Sequence, residues 1–454
     1  MTKKYMTLPA MVAGALGVGA AGSVARAAEP TTDELRQQIE QLQAKVQQLE
    51  TNQQQSAAAS DVDATIDRVL RDAEKRSQLM QMEGFTAGYD DGFKLRSADG
   101  NFLLNPYFQF QFRNTTNFTD SPAVFDADGD IIGFDDDEDV QNGFEVRRMK
   151  FGFRGNAFTP DLTYNFRWET QENGGGVTLE DATVQYQFAD NLAVRAGQWK
   201  DDWTHEETVS SSRQLAADRS LLNELIAGGL TDYVQGVMLV INPQDSPWRA
   251  NLAYHDGANT DNTDWQENTG GNALTGGPNF GVSGRVEYKF SGDWRSYDDF
   301  SAMNNNDNLL VVGGGVDYTQ SGDNDLWFHT VDVQWENTNG LSLYGAYVAN
   351  WADTDPDDVY NWGALGQVGY MFNETTEVFG RVDYTQFDFD TATGEDDFWE
   401  ATVGLNYYWR GHAAKFTVDV TWLFDGSPTN VTGIGVLASD DDEFIIRGQF
   451  QLLL

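Results

Sequence analysis

The sequence predicts an all-β fold: a sixteen-stranded antiparallel transmembrane β-barrel with an N-terminal α-helical coiled-coil arm. Three observations predict it. The chain begins with a secretory signal, apolar and polar residues alternate from residue 90 onward, and the connections between the alternating runs are long and short in turn. Strands of about 9–11 residues can cross a bilayer at a tilt, and such barrels have short periplasmic turns and long outer loops.

The first 27 residues have the organisation of a cleaved signal peptide. Lys3 and Lys4 precede a small-residue apolar run at 10–21, and Ala-Arg-Ala at 25–27 forms a cleavage site. The apolar run is shorter than the roughly 20 residues that a transmembrane helix requires. We therefore predict that the mature chain is exported and that it crosses a membrane with strands.

A helical arm, residues 28–55, follows the signal. Five apolar residues have the 4-3 spacing of a heptad repeat, which predicts a self-associating coiled coil: Leu35, Ile39, Leu42, Val46 and Leu49. An amphipathic helix packed on the chain's own core remains an alternative. Ile and Val at position a with Leu at d favour a parallel dimer. A second helix, at about 61–82, is predicted within a helical linker at 56–89.

From residue 90 to residue 454 the hydrophobic period is two, as in strands with one apolar and one polar face. In the first run, for example, Phe108, Phe110 and Phe112 alternate with Gln109 and Gln111. Sixteen such runs are present, at 104–113, 144–154, 161–170, 178–188, 191–200, 232–241, 248–256, 280–290, 309–318, 326–336, 341–351, 361–372, 376–386, 399–409, 414–424 and 443–454.

The connections between these runs alternate in length. Every odd connection is long or polar, and most even ones are tight, which predicts outer loops at one end of a barrel and periplasmic turns at the other. The even connection 291–308 is an exception, because it is long. Either it folds into the lumen or the strand count is wrong there. Trp and Tyr residues near strand ends on the lipid face are typical of aromatic girdles and disfavour a soluble sandwich.

The stretch FEVRRMKFGFRG, residues 144–155, concentrates positive charge in an acidic chain. If its Met and Phe side chains face lipid, then Arg148, Lys150 and Arg154 face the lumen, because a lipid-facing charge costs about 2–4 kcal/mol at mid-bilayer. Arg147 is out of phase, near the strand's end. Two interpretations stay open: ion pairs with lumen acids or a directed anion path. The alternation places further bases on the lumen side: Arg113, Arg167, Arg195, Arg249, Arg285, Lys289, Arg381, Lys415 and Arg447.

The formal net charge of −42 excludes nucleic acid as a partner, because the chain would repel phosphate backbones. Without cysteine, and with four scattered histidines, the sequence predicts no metal site, no cofactor and no enzyme. The negative charge is concentrated in the predicted outer loops. The sequence DADGD at 126–130 suggests calcium, but Ile131 stands where an EF-hand loop needs glycine, so calcium binding is left open.

Four stretches resemble the phosphate-selective porin O and P family. They are residues 180–221, "EDATVQYQFADNLAVRAGQWKDDWTHEETVSSSRQLAADRSL", the basic strand "FEVRRMKFGFRG", "AYHDGAN" at 253–259 and "EVFGRVDYTQFD" at 377–388. The resemblance implies a trimer of sixteen-stranded barrels, each with an inward-folded third long loop, and it makes Arg213 and Arg219 candidate bases of that constriction. The chain departs from the family's Lys-x-Pro-Phe pattern at Lys200-Asp201-Asp202-Trp203, which weakens the case for phosphate selectivity.

These observations together predict a porin in the outer membrane of a Gram-negative-type envelope, with its arm in the periplasm. It would passively admit small hydrophilic solutes, with small anions such as phosphate as the first expectation. The expected partners are outer-membrane lipid, two further copies of the chain and, through the arm, the cell wall. A cation-tolerant porin with an acidic mouth and an envelope-tethering protein are the alternatives. Heptad composition favours a dimer and the resemblance a trimer, and we expect the trimer.

Overall fold

The structure is a computed structural model that describes residues 37, 40–48, 85–89, 92–127, 131–135, 138–170, 175–242, 246–258, 280–321, 324–353, 358–391 and 393–454. It consists of two compact units, Met1–Leu79 and Met80–Leu454. In the first unit, residues 40–48 are α-helical, with Leu42 and Val46 exposed. The signal peptide, the other heptad positions and the predicted second helix lie outside the described residues. None of the helices described is both long enough and apolar enough to span a bilayer.

The second unit is a closed antiparallel β-barrel. Each barrel strand pairs with the next barrel strand along the chain, and the last barrel strand pairs with the first. The described residues contain the sixteen predicted strands, in the predicted order: β3 Leu103–Thr119, β6 Asp139–Asn156, β7 Leu162–Thr170, β8 Val177–Ala189, β9 Leu192–Lys200, β10 Tyr233–Ile241, β11 Trp248–His255, β12 Phe280–Ser291, β13 Leu309–Ser321, β14 Asn324–Glu336, β15 Leu341–Asp353, β16 Val359–Asn373, β17 Thr376–Gln386, β18 Asp397–Tyr408, β19 Ala414–Leu423 and β20 Glu443–Leu453.

Two short hairpins accompany the barrel. Strands β1, Phe85–Tyr89, and β2, Phe93–Ser97, pair with each other, and β2 continues the sheet onto the start of β3. The prediction that the helical linker extends to residue 89 is therefore wrong. Residues 85–89 include aromatic and β-favouring residues, and they form strand β1 instead. Strands β4, Ala123–Phe125, and β5, Ile131–Phe134, form a hairpin within the first long loop.

The alternating pattern divides each barrel strand into an exposed apolar face and a polar face turned inward. On β6, for example, Phe144, Val146 and Phe153 are exposed, whereas Arg148 and Lys150 are buried. Because side chains on a strand point to opposite faces in turn, the apolar set forms one continuous outer surface suited to lipid. The polar set lines the interior. We call the end of the barrel with the long connections the loop end, and the opposite one the turn end.

Among the described residues, three connections fold into the barrel and fill much of its interior. The largest, residues 201–232, carries helices α1, His205–Thr208, α2, Leu221–Ile226, and α3, Gly228–Thr231. We call it the inner loop. From the same end, residues 424–442 bring Ile434 and Val436 against the inner-loop residue Leu221.

The third insertion is the long turn 292–308, and it resolves the exception in the connection pattern. A 3-10 helix, Ser296–Asp298, directs Tyr297 and Phe300 inward, and both are only 2% exposed. Tyr297 stacks on His205 of the inner loop with ring centroids 3.8 Å apart, and Phe300 packs on Tyr344 of the wall. The predicted strand count is therefore correct, and the turn enters the lumen from the turn end.

Candidate functional site

The inner loop crosses the lumen because it carries its own apolar core to the opposite wall. Trp203, Leu215 and Leu222 are buried, and they pack in one cluster with wall residues such as Phe328 and Phe379. Burial of one such side chain contributes about 1.5–3 kcal/mol relative to leaving it exposed. The loop is therefore held by packing as well as by polar contacts.

Carboxylates of the far wall cap backbone groups of the inner loop. Asp419 accepts a hydrogen bond from the Ala217 amide at 2.7 Å, and Glu400 accepts one from the Leu221 amide, at the start of α2, at 2.8 Å. A helix begins with amides that lack internal partners, and a carboxylate there also opposes the positive end of the helix dipole. Several lumen acids thus hold the inner loop in position.

The seam between the first and last barrel strands also contacts the inner loop. Gln111 of β3 donates to the side chain of Gln451 of β20 at 2.8 Å. The same two amides donate to the backbone carbonyls of Ser211 and Ser212 at 3.2 and 3.0 Å. Wall closure and loop position are therefore joined in one hydrogen-bond network.

Asp218 of the inner loop is the partner of the basic strand. Its buried carboxylate lies 2.8 Å from Arg148 and 3.5 Å from Arg147, and it also accepts a hydrogen bond from Arg113. Burial alone would raise the pKa of Asp218, but the charges of Arg147, Arg148 and Arg113 outweigh it and hold that pKa well below its usual value. The carboxylate is thus ionised and clamped between β3 and β6.

A β-bulge in β6 explains how two consecutive arginines reach the same carboxylate. Gln111 faces Arg148 and Phe112 faces Val146, so Arg147 is the extra residue of the pair. A bulge shifts the alternation by one residue. Arg147 therefore points into the lumen from the middle of the strand, and the view that it lies out of phase near the strand's end is wrong.

Most predicted lumen bases contact acids or loop carbonyls. Arg285, Arg381 and Arg447 are buried and lie 2.6–2.7 Å from the carboxylates of Asp332, Glu400 and Asp419, respectively. Each of the three guanidinium groups also donates to a backbone carbonyl of an inward-folded loop.

The wall strands β6 to β8 carry a second set of paired bases. Lys150 is 3.0 Å from Glu169 and also contacts Glu180. Arg167 lies 2.7 Å from Glu180 and 2.6 Å from Asp181. Acids outnumber bases in this ladder, so it offers anions no excess of positive charge.

Arg154, which we also predicted to line the pore, lies near the turn end. Its Nε donates to Asn105 at 2.7 Å, and its guanidinium is 5.4 Å from the ring centre of Tyr107.

The two candidate constriction bases differ in position. Arg219 is buried and donates to the backbone carbonyls of Glu206, Glu207 and Val209, so its guanidinium braces the loop from within. Arg213 is only partly buried, and it reaches the carbonyl of Asp298 at 3.4 Å. Of these two, Arg213 is the one whose side chain lines a cavity.

A cavity of about 500 Å³ lies beside Arg213, toward the turn end. Its wall includes Arg195 and Arg249, which together with Arg213 bring guanidinium groups from β9, β11 and the inner loop to one space. Arg195 is 3.4 Å from Asp202, and Arg249 lies 4.1 Å from the ring centre of Trp294. Asp202, Glu287 and Asp298 also line this cavity, but in the described part of the chain Arg213 and Arg249 form no ion pair with them.

Sequence reasoning missed three parts of this arrangement. The sequence contains one indication of the role of Asp218, because this acid ends the otherwise neutral stretch "QLAAD", residues 214–218, of the inner loop. Tyr297 and Phe300 had another, because the length of connection 291–308 raised the question of whether it enters the lumen, although nothing in the sequence indicated that Tyr297 stacks on His205. The bulge at Arg147 had a third signal, because the consecutive polar residues Arg147 and Arg148 interrupt the alternation between Val146 and Met149.

Comparisons with known proteins agree with this architecture. The family model of phosphate-selective porin O and P matches residues 123–349, half of the chain. The anion-selective porin from Comamonas acidovorans is similar in structure, with a TM-score of 0.51 and 14% identity over 77% of this chain and 99% of that one. The OmpF of Salmonella typhi, in complex with daunomycin, has a TM-score of 0.50 and 15% identity over 81% and 100%. Both likenesses show the barrel fold. Among curated protein sequences there is no match.

Proposed function

Because the chain belongs to the phosphate-selective porin O and P family, we propose that its channel admits small anions past Arg195, Arg213 and Arg249. The protein is an outer-membrane porin, and the lumen that the inward-folded segments leave open is its route for hydrophilic solutes. The loop end would face outward and the turn end the periplasm, since porins have long outer loops and short periplasmic turns.

The observation that carries this proposal is the convergence of the three guanidinium groups on one cavity. Arg213 comes from the inner loop, whereas Arg195 and Arg249 come from the wall, so a solute passing between loop and wall meets positive charge on both sides. Arginine binds carboxylate and phosphate oxygens with a planar pair of donors. The path thus lies between the inner loop and the wall formed by β9 to β12.

The strand of Arg148, Lys150 and Arg154 has a different role in this proposal. Arg148 is committed to Asp218 and Lys150 to Glu169 and Glu180, so these charges stabilise the interior instead of forming a ladder for anions. One observation favours the alternative, a cation-tolerant channel. The predicted outer loop 114–143 contains nine acids and no Lys or Arg, so it attracts cations to the mouth.

The sign of the reversal potential tests the proposal. We expect the purified protein, reconstituted in a planar bilayer under a potassium chloride gradient, to give a reversal potential of the anion-selective sign. Replacing chloride by phosphate on one side should leave a measurable anion current. The narrow space beside Arg213 is less screened than the open mouth, so its charge should dominate selection. A cation-selective reversal potential would establish the acidic-mouth alternative.

We also propose that the porin is a homotrimer with its arm in the periplasm. The family resemblance supports the trimer, and the exposure of Leu42 and Val46, 63% and 53% in the single chain, supports association of the arms. Contact between the arm and the cell wall is a further part of this proposal. It is tested by co-sedimentation of the full-length porin, and of a chain lacking residues 31–55, with isolated cell wall.

Deleting residues 31–55 should leave the single-channel conductance unchanged. The contact area between neighbouring barrels should be far larger than the contact area between arms of three heptads. We therefore expect the barrels to hold the oligomer together without the arm. Single-channel recording and chemical cross-linking of the deletion variant measure both properties. Loss of barrel assembly in the variant would mean that the arm is needed for folding.

A further inference from the structure

The cavity beside Arg213 has a third side, which comes from the long turn 292–308. This turn enters the lumen from the turn end, and its residue Asp298 lines the cavity together with Arg213 of the inner loop and Arg249 of β11. Arg213 donates a hydrogen bond to the backbone carbonyl of Asp298 at 3.4 Å, which joins the turn to the inner loop. The side chain of Asp298 is exposed. The turn thus brings a carboxylate to the space that two guanidinium groups share.

These three charged groups lie near one another without forming ion pairs. In the part of the chain that the structure describes, neither Arg213 nor Arg249 pairs with Asp298, and the buried Nε of Arg249 has no hydrogen-bond partner. Partial desolvation in the lumen raises the pKa of Asp298 from its usual value, and the charges of Arg249 and Arg213 oppose that rise. The carboxylate and the two guanidinium groups therefore interact across the open space of the cavity.

The other two acids of the cavity already have partners. Glu287 accepts a hydrogen bond from Arg285 Nε at 2.8 Å, and the carboxylate of Asp202 lies 3.4 Å from Arg195. Asp298 therefore differs from both, since it has no ion-pair partner among the described residues and faces two bases that also have none there. A solute that carries a negative and a positive charge can contact all of these groups at once.

We propose that this cavity is a subsite for small zwitterionic solutes, namely α-amino acids with aliphatic side chains. The inference rests on the anion path proposed above, because the carboxylate of the solute would bind Arg213 and Arg249. Its ammonium group would lie beside Asp298. A simple anion is repelled by Asp298 and a simple cation by the two arginines, so the zwitterion gains from both signs of charge.

The remaining lining of the cavity suits the apolar part of such a solute. Val209 of the inner loop and Val240 of β10 both contribute to it. Val240 points into the lumen, because it is on the same face of β10 as Met238, the cross-strand partner of Arg195. An aliphatic side chain that contacts these two valines removes apolar surface from water, which is favourable.

A pair of isomeric solutes tests this inference with the full-length porin. Alanine and lactamide have the same formula and similar size, but alanine carries separated charges at neutral pH and lactamide carries none. We expect alanine to enter porin-containing liposomes about 2- to 5-fold faster than lactamide, the gain from one partly exposed charge contact. Swelling rates at equal osmolarity measure this ratio, after subtraction of the rates in liposomes without porin.

The result is independent of the test of anion selectivity, because neither isomer carries a net charge. A cation-selective reversal potential would contradict the anion path. Equal swelling rates of alanine and lactamide would contradict the zwitterion subsite.

Variants of the turn separate a charge contact from a change in pore width. Asp298→Asn should lower the alanine-to-lactamide ratio toward one, and it should also shift the reversal potential under a potassium lactate gradient further toward anions. Asp298→Glu should keep the ratio of the wild type. Asp307→Asn is the matched control, because Asp307 is an exposed acid of the same turn that does not line the cavity. An alanine-to-lactamide ratio in Asp298→Asn equal to that of the wild type would overturn the assignment.

Discussion

Asp218→Asn should produce a wider and less stable channel. Asn keeps the shape of the side chain but removes the charge that Arg113, Arg147 and Arg148 share. Removing one partner of a buried ion pair costs about 3–5 kcal/mol, because the remaining charges are left without compensation. The backbone hydrogen bonds between the barrel strands are unaffected. The lost stability is therefore that of the inner loop against the wall.

Single-channel conductance and the midpoint of thermal unfolding in detergent measure the two effects. We expect the conductance to rise and the midpoint to fall. Asp232→Asn is the matched control, because Asp232 belongs to the same loop but is 43% exposed and has Lys200 3.5 Å away as its ion-pair partner among the described residues. Exposed pairs contribute about 0–1 kcal/mol, so this variant should behave as the wild type.

A second-site change sharpens the test. Adding Arg147→Gln and Arg148→Gln to Asp218→Asn removes two of the uncompensated charges, so the triple variant should be more stable than Asp218→Asn alone. The coupling isolates the ion pairs from other effects of the single change. Additive losses of stability would mean that Asp218 and the two arginines do not act together.

The double change Arg213→Gln and Arg249→Gln should shift permeability strongly toward cations. At about 8 Å, with an effective dielectric constant of roughly 20–80, one unit charge changes the energy of an ion by about 0.5–2 kcal/mol. Each substitution should therefore lower the anion permeability roughly 2- to 30-fold and raise the cation permeability by a similar factor. The barrel should stay folded, because Arg249 lies over the ring of Trp294 and Arg213 reaches a backbone carbonyl, that of Asp298, so neither substitution leaves a buried acid without its ion-pair partner.

Reversal potentials under a salt gradient measure this shift. Arg96→Gln with Arg410→Gln is the matched control, since it removes the same charge at two exposed positions, in β2 and in a short turn. Arg148, Lys150 and Arg154 replaced together by Gln should instead resemble Asp218→Asn, with altered conductance and stability. If that set changes selectivity while the Arg213 and Arg249 variant does not, the anion path follows the basic strand.

The wall of the barrel could be predicted from sequence because a period of two is a local property. Each strand shows its lipid face in its own residues, as Phe144, Val146 and Phe153 do on β6. The basic lumen positions followed from the same rule. A strict period of two, however, has no place for the consecutive polar residues Arg147 and Arg148, so it put Arg147 out of phase, whereas a bulge turns both side chains into the lumen.

The interior could not be predicted because its contacts join distant parts of the chain. Asp218 and Arg113 are 105 residues apart, and Tyr297 stacks on His205 from the opposite end of the barrel. Which acid neutralises which base depends on how the inner loop lies in three dimensions. Sequence reasoning therefore identified the charged residues but left open whether they are paired.

The hydrogen bonds at the barrel seam have a consequence for assembly. Gln111 lies on the first barrel strand and Gln451 on the last, and both donate to consecutive carbonyls of the inner loop, at Ser211 and Ser212. In a chain that brings its ends together before the loop has entered, the two amides face water, and entry of the loop exchanges that water for the two carbonyls, a net gain of about 0.5–1.5 kcal/mol for each hydrogen bond. Closure of the barrel and entry of the loop thus favour each other, because the paired ends hold two donors side by side at the spacing of two consecutive carbonyls.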